Sequence, residues 1–152
     1  MEATINMNPA ADRKPRGLRN NNPLNIRRTG DQWRGLRQRQ DDPAFCQFTT
    51  MAYGWRAALL LLTRTYYRNY RLSTIRAIVS RWAPPSENDT ETYIRRVSDY
   101  TGYPDNMPLG VPCDHPDRWM QLALAMARVE CGTHNFATQP LLQGWAMARQ
   151  TL

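Results

Sequence analysis

The chain has 152 residues, of which 41% are hydrophobic and 22% are charged. These values predict one globular domain and exclude collagen-like, coiled-coil and long disordered sequences. The net charge of +7 is carried almost wholly by arginine, since Lys14 is the single lysine. A basic surface favours anionic partners such as nucleic acid, acidic lipid or an anionic cell wall. Charge alone does not choose among them, and a solvated surface without a specific partner is the alternative.

Residues 1–16 are polar and are expected to form a flexible lead, with a single domain over 17–152. This lead has no hydrophobic stretch typical of a signal peptide. The longest apolar run, 57–62, is too short to span a membrane, so no membrane span is expected. The protein is therefore expected to be made in the cytoplasm. To act outside it, the protein needs a carrier such as a phage particle, a holin or a secretion machine.

Residues 17–48 lack a helical period and are predicted to form loops with short strands, in which Phe45 and Phe48 are candidate strand residues. From Met51 onward, apolar side chains recur at helical spacing. Five helices are predicted, at 51–70, 73–82, 89–102, 116–130 and from 140 onward. Ser73 is expected to cap the second helix, and Asn88 or Asp89 the third. The predicted fold is therefore mainly α, with about five helices around one core and a small irregular lobe.

Four asparagines fall within six residues, at Asn20, Asn21, Asn22 and Asn25. Asparagine amides hydrogen-bond locally and tolerate left-handed backbone geometry, which is typical of loops. The same amides also offer paired donors and acceptors for sugar hydroxyl and acetamido groups. The segment is thus either a tight loop held by its own side chains or a substrate-binding loop.

Two carboxylates are candidates for chemistry. Glu87 lies in a stiff polar loop before the third predicted helix, and neither the N-cap nor the first turn of that helix needs it. Glu130 ends an apolar helix face that carries Trp119 and Met126. At such a position a carboxyl group is partly desolvated, which is the setting of a general acid. The alternative is a frayed helix end with Glu130 in solvent.

No cofactor or metal is expected. Three irregularly spaced cysteines and two histidines lack the spacing of metal ligands, of a disulfide framework or of a cysteine nucleophile. The sequence contains no glycine-rich phosphate loop.

Four motifs resemble a family of small phage and prophage proteins, often labelled structural or virion proteins and in some cases "structural protein P5". They are GLRNNNPLNIR at 17–27, WxG at 33–35, YGxRA at 53–57 and WAPPSENDT at 82–90. The resemblance covers about residues 17–132 and implies a phage virion protein, with other virion or secretion-machine proteins as possible partners.

A second resemblance is to lysozyme-like lytic transglycosylases. Their catalytic helix ends in Glu-Ser and often Gly, which is similar to Glu130-Cys131-Gly132 with Cys in place of Ser. Their groove segment is similar to 89–97, in which Asp89, Thr90 and Tyr93 keep the spacing but Asp replaces Glu. In those enzymes the catalytic helix precedes the groove segment, whereas here it follows. A circular permutation would reconcile the two orders, and it requires Glu130 and the asparagine loop to share one cleft.

The resemblance implies an α+β lysozyme-like fold and a peptidoglycan-degrading glycosidase, either a lytic transglycosylase or a muramidase. Glu130 would be the general acid and base, with Glu87 in reserve. Asn20, Asn21, Asn22, Asn25, Asp89, Thr90 and Tyr93 would hold the glycan. The location would then be a phage virion or, after delivery, the bacterial periplasm and cell wall. The alternative is a non-catalytic virion or wall-binding protein, while nucleic acid is a less favoured partner because acidic residues are mixed into the arginine-rich surfaces.

Overall fold

The computed structural model describes residues 14–152. Most of the predicted lead, residues 1–13, lies outside this range. The last residue of the predicted lead, Arg16, begins a short helix. It binds the carboxylate of Asp42 through two guanidinium nitrogens at 2.7 and 2.6 Å. Arg16 is therefore anchored to the folded body of the protein.

The described part of the chain is mainly helical, which confirms the predicted fold class. The α-helices are α1 (Arg16–Arg19), α2 (Met51–Leu60), α3 (Ile75–Trp82), α4 (Thr90–Thr101), α5 (Pro116–Cys131) and α6 (Thr138–Arg149). A π-helical segment, Leu61–Asn69, continues directly from α2. The sequence pattern had predicted α2 and this segment as one helix, because apolar periodicity does not distinguish a wide helical turn from an ordinary one.

Side-chain caps define three of the helix starts, and Thr50 caps α2 by accepting from the Tyr53 amide. Thr74, rather than the predicted Ser73, caps α3, since its hydroxyl accepts a hydrogen bond from the Ala77 amide at 3.1 Å. The prediction failed by one residue because either hydroxyl suits an N-cap, and the carbonyl of Ser73 instead accepts from the Leu109 amide. Asp89, one of the two predicted candidates, caps α4 by accepting from the Thr92 amide.

The core is built around α2, whose Trp55 and the following apolar residues are fully buried. This helix packs most extensively against α6. Their close approach depends on Gly144, where a Cβ atom would lie 2.5 Å from the Cβ of Trp55. Helices α4 and α5 also pack together, which brings Tyr93 close to the end of α5. None of the helices in the described range is long and apolar enough to cross a membrane.

The segment between α1 and α2 forms a lobe of turns rather than a sheet. Within the described range its only bridge pairs are Arg27 with Phe45 and Leu36 with Phe48, so both predicted strand residues pair without forming a regular strand. The lobe is organised by Asp42, which accepts from Arg16, from the side-chain amide of Asn20 and from two backbone amides. Hydrogen bonds of polar side chains thus hold this lobe together, as backbone hydrogen bonds between strands do in a sheet.

Candidate functional site

Glu130 lies on the last turn of α5, half-buried at a place where three distant parts of the chain meet. Asn25 belongs to the asparagine loop, Trp82 ends α3, and Tyr93 lies in the first turns of α4. Helix α5 stops immediately afterwards because Gly132 adopts a left-handed conformation, φ +63°. The stop holds Glu130 against its neighbours instead of letting the helix run on into solvent.

The Glu130 carboxylate accepts hydrogen bonds from all three neighbours. Tyr93 donates its hydroxyl to Oε2 at 2.9 Å, and the indole N–H of Trp82 donates to the same oxygen at 3.2 Å. Asn25 donates its amide to Oε1 at 3.3 Å and to the Glu130 backbone carbonyl at 3.4 Å. The carboxylate is therefore held in one orientation, and Oε1 is the less occupied of its two oxygens.

Tyr93 is almost entirely enclosed, and its pKa is raised well above the usual value by burial and then by the charge of Glu130. Both causes disfavour the phenolate. The hydroxyl therefore remains protonated at neutral pH and acts as a hydrogen-bond donor to Glu130.

Glu130 faces an open cleft of about 470 Å³. The wall beside it is aromatic, with Trp33, Phe45, Tyr66 and Trp82 among the lining side chains. The Tyr66 and Trp82 rings meet edge to face, with centroids 6.0 Å apart. Aromatic faces next to polar groups suit a ligand that has both apolar and hydroxyl-bearing surfaces, such as a sugar ring.

The π-helical segment contributes Leu61 and Tyr66 to the same wall. The two residues are five apart, which matches the i to i+5 hydrogen bonding of a π-helix and places both side chains toward the cleft. An ordinary α-helix would rotate one of them away. The wide turn thus shapes the cleft wall.

The four asparagines of the loop have two different roles. Asn20 donates to Asp42, Asn21 to the carbonyls of Phe48 and Thr49, and Asn22 to those of Ile26 and Cys46. These three amides are used inside the protein, as expected of a loop held by its own side chains. Asn25 alone among the four lines the cleft. Its φ of +52°, a left-handed value that asparagine tolerates, directs its amide to Glu130.

The three predicted groove residues at the start of α4 also differ in whether they contact Glu130. Tyr93 reaches Glu130, whereas Asp89 caps the helix and is exposed, and Thr90 is buried and donates its hydroxyl to the Ala83 carbonyl. Both Asp89 and Thr90 stabilise the junction between α3 and α4. That junction in turn fixes the position of Trp82.

Two further carboxylates line the cleft. Glu87, predicted from the sequence, is exposed on the α3–α4 loop, and Asp31, which sequence reasoning missed, is exposed on the opposite lobe. No signal in the sequence distinguishes Asp31, which lies in a polar turn and accepts a hydrogen bond from Thr29 at 2.9 Å. Trp82 as a partner of Glu130 was also missed, although its motif was recognised.

Cys131 lies next to Glu130 but is not suited to nucleophilic chemistry. Burial, followed by the charge of Glu130, raises the pKa of its thiol to about 12. The thiol is in contact with the Pro23 carbonyl at 3.4 Å, and a Cβ at Gly17 would lie 2.5 Å from its sulfur. Cys131 thus joins the end of α5 to the N-terminal lobe. Within residues 14–152, no three histidine, cysteine or acidic side chains are grouped so that they could hold a metal ion.

The fold and the site together define a mainly helical protein with an aromatic cleft over a single oriented carboxylate. No known family model matches the chain. The chain is 40% identical over 133 residues to protein P5 of Pseudoalteromonas phage PM2, which covers 86% of this chain and 79% of the phage protein. It therefore belongs to the phage protein P5 family, and this relationship associates it with bacteriophages.

Proposed function

We propose that this protein is a peptidoglycan-degrading glycosidase of a phage, in which Glu130 supplies the general acid and base. The observation that carries the proposal is the carboxylate of Glu130, held by three donors from three separate segments beneath an aromatic cleft. An oriented carboxylate that lines a cleft is in the position that a general acid and base requires. The glycan of MurNAc and GlcNAc is the substrate that this cleft would take.

The two carboxylate oxygens would have different tasks. Oε2 already accepts from Tyr93 and Trp82, so it remains an acceptor. Oε1 has only the longer contact with Asn25 and is the oxygen that would carry the proton to the glycosidic oxygen. After bond cleavage the same oxygen would accept a proton, either from water or from a substrate hydroxyl.

The reaction would proceed with one carboxylate or with two. Lytic transglycosylases, which the Glu130 segment resembles, use one glutamate as both acid and base. A muramidase would use a second carboxylate, and Glu87 and Asp31 are the two that line the cleft beside Glu130. Both routes begin with a protonated Glu130, and their products differ. A transglycosylase leaves an anhydro-muramyl end.

The two halves of the transglycosylase resemblance, the end of α5 and the groove-like segment 89–97, meet in this cleft, where Tyr93 donates to Glu130. The asparagine loop shares the cleft, because Asn25 also donates to Glu130. This proximity supports the proposed circular permutation, because the segments are brought together in space although their order along the chain is reversed.

A non-catalytic virion or wall-binding protein is the second candidate. The contacts of Glu130 favour it as well, because a carboxylate with three donors also works as a structural tie between α3, α4, α5 and the N-terminal lobe. Membership of the phage P5 family is consistent with either function. This candidate predicts binding to cell walls without release of soluble fragments.

Digestion of purified sacculi, followed by turbidity and mass spectrometry of the soluble products, tests the proposal. The unaltered protein should release muropeptides, and Glu130→Gln should reduce release at least about 100-fold. Glu91→Gln is the matched control, because Glu91 is paired with Arg76 outside the cleft at 2.8 Å. If Glu130→Gln and Glu87→Gln both clear walls as the unaltered protein does, the assignment of the carboxylates is wrong. Wall binding with no release by the unaltered protein would favour the second candidate.

A further inference from the structure

A second cavity, of about 450 Å³, lies in the N-terminal lobe beside the Glu130 cleft, and we call it the lobe cavity. It shares three lining residues with that cleft, namely Thr29, Asp31 and Trp33. The two cavities are therefore neighbours, and a ligand that occupies the Glu130 cleft can extend into the lobe cavity.

Two arginines line the lobe cavity, and backbone carbonyl groups orient both of them. Arg28 donates through Nη1 to the Asp42 carbonyl at 2.9 Å. Arg37 donates through Nε to the Phe48 carbonyl at 2.9 Å and through Nη2 to the Arg19 carbonyl at 2.7 Å. A carbonyl group orients a guanidinium without neutralising its charge. Because a guanidinium has five N–H donors, each arginine retains donors that these carbonyls do not use.

The walls of the lobe cavity carry more positive than negative charge. Neither Arg28 nor Arg37 takes part in an ion pair within residues 14–152. Asp31 is the one acidic side chain among those that line the cavity, and it is exposed and accepts from Thr29 at 2.9 Å. Two oriented cations against one carboxylate leave a net positive charge, which favours an anionic ligand.

The rest of the wall indicates what kind of anion fits. Trp33, Leu36 and Cys46 give the lobe cavity an apolar side, and Gln32 and Gln38 add amide groups. An acidic peptide with small side chains presents carboxylates to guanidinium groups, backbone amides to glutamines and methyl groups to an apolar wall. Its chemistry thus matches each part of the cavity, whereas a compact inorganic anion would use only the arginines.

We propose that the lobe cavity binds the acidic stem peptide that peptidoglycan carries on MurNAc, so that the substrate is a peptide-substituted glycan. The site rests on the proposed function, because that function places the glycan in the neighbouring Glu130 cleft. The stem peptide contains alanine and free carboxylates, and its attachment to the sugar brings it beside any glycan bound in the cleft. Arg28 and Arg37 select this substrate through N–H contacts with a carboxylate.

Isothermal titration of the full-length protein with the disaccharide GlcNAc-MurNAc bearing a tetrapeptide tests the site. The control ligand is the same compound with its carboxylates converted to carboxamides, which keeps its shape and removes its negative charge. Neither ligand has a bond from MurNAc to a following GlcNAc, so cleavage does not disturb the titration. The acidic ligand should bind at least about tenfold more tightly, because hydrogen bonds to a charged group are about twice as strong as neutral ones.

Variants locate this preference in the lobe cavity. Arg28→Gln should weaken binding of the acidic ligand about tenfold and leave binding of the amidated ligand unchanged. Arg37→Gln should act in the same way, and the more exposed Arg28 keeps the test valid if Arg37→Gln does not fold. Arg39→Gln is the matched control, because it removes the same charge from an exposed position in the same lobe that lines neither cavity.

The proposal is overturned if neither ligand binds or if both bind equally. It is also overturned if Arg39→Gln weakens binding as much as Arg28→Gln does, because net charge alone would then explain the preference. Release of muropeptides from sacculi tests the proposed function separately. Release combined with equal binding of the two ligands overturns the peptide site alone. No release combined with an Arg28-dependent preference for the acidic ligand overturns the glycosidase and retains the peptide site in a wall-binding protein.

Discussion

Replacing Tyr93 by phenylalanine tests whether the hydroxyl of this residue orients Glu130. The hydroxyl donates to Oε2 at 2.9 Å from a buried ring, and its raised pKa keeps it protonated. A hydrogen bond to a charged group contributes about 1.5–3 kcal/mol. Because Trp82 donates to the same oxygen and retains its contact, we expect a value near the lower end, about 1.5–2 kcal/mol, which corresponds to a factor of about 10–30.

A double-mutant cycle isolates this value. The free energies of unfolding of the unaltered protein, Tyr93→Phe, Glu130→Ala and the double variant would be measured by urea denaturation followed by far-UV circular dichroism. The two substitutions should be non-additive by the amount given above. Tyr100→Phe is the matched control, since Tyr100 lies on the same helix, meets the His134 ring edge to face and does not line the cleft. Coupling below about 0.5 kcal/mol between Tyr93 and Glu130 would refute the reasoning.

Two further predictions concern other titratable groups. The hydrogen-bonded guanidinium beside Asp42 lowers the pKa of that carboxyl group, so its stabilising effect is complete at neutral pH and is lost as pH falls below about 5. Asp42→Asn should therefore be less stable at neutral pH and lose less stability on acidification, as measured by urea unfolding across pH. An unchanged pH dependence would contradict this. For the thiols, exposed Cys113 should react with iodoacetamide quickly in the folded protein, whereas buried Cys131, with its pKa raised to about 12, should react only on unfolding. Mass spectrometry of the alkylated protein checks this, and rapid labelling of Cys131 would show that the end of α5 opens.

The helices could be read from the sequence because their causes are local. Apolar residues at helical spacing, Asp89 as an N-cap and the glycines that follow α4 and α5 each act within a few residues. The errors are local too. Thr74 rather than Ser73 caps α3 because both hydroxyls fit the pattern, and the short helix α1 was missed because only four residues form it.

Only part of the candidate site could be predicted from the sequence. Glu130 and Glu87, which both line the cleft, could be named as candidates because a carboxylate at the end of an apolar face, or one that no cap requires, departs from what the local structure needs. The different roles of Asn20, Asn21, Asn22 and Asn25 could not be predicted, because the four side chains are chemically identical. Their partners, which decide the tasks, lie between 4 and 105 residues away.

The sequence by itself determined the mainly helical class, the helix positions and the resemblance to small phage proteins, since periodicity, caps and motifs are properties of neighbouring residues. Tertiary structure alone decided that Asn25, Trp82 and Tyr93 converge on Glu130. These contacts with Glu130 depend on how α4 and α5 pack and on how the N-terminal lobe folds around Asp42. They require contacts between distant segments, which no local pattern in the chain encodes.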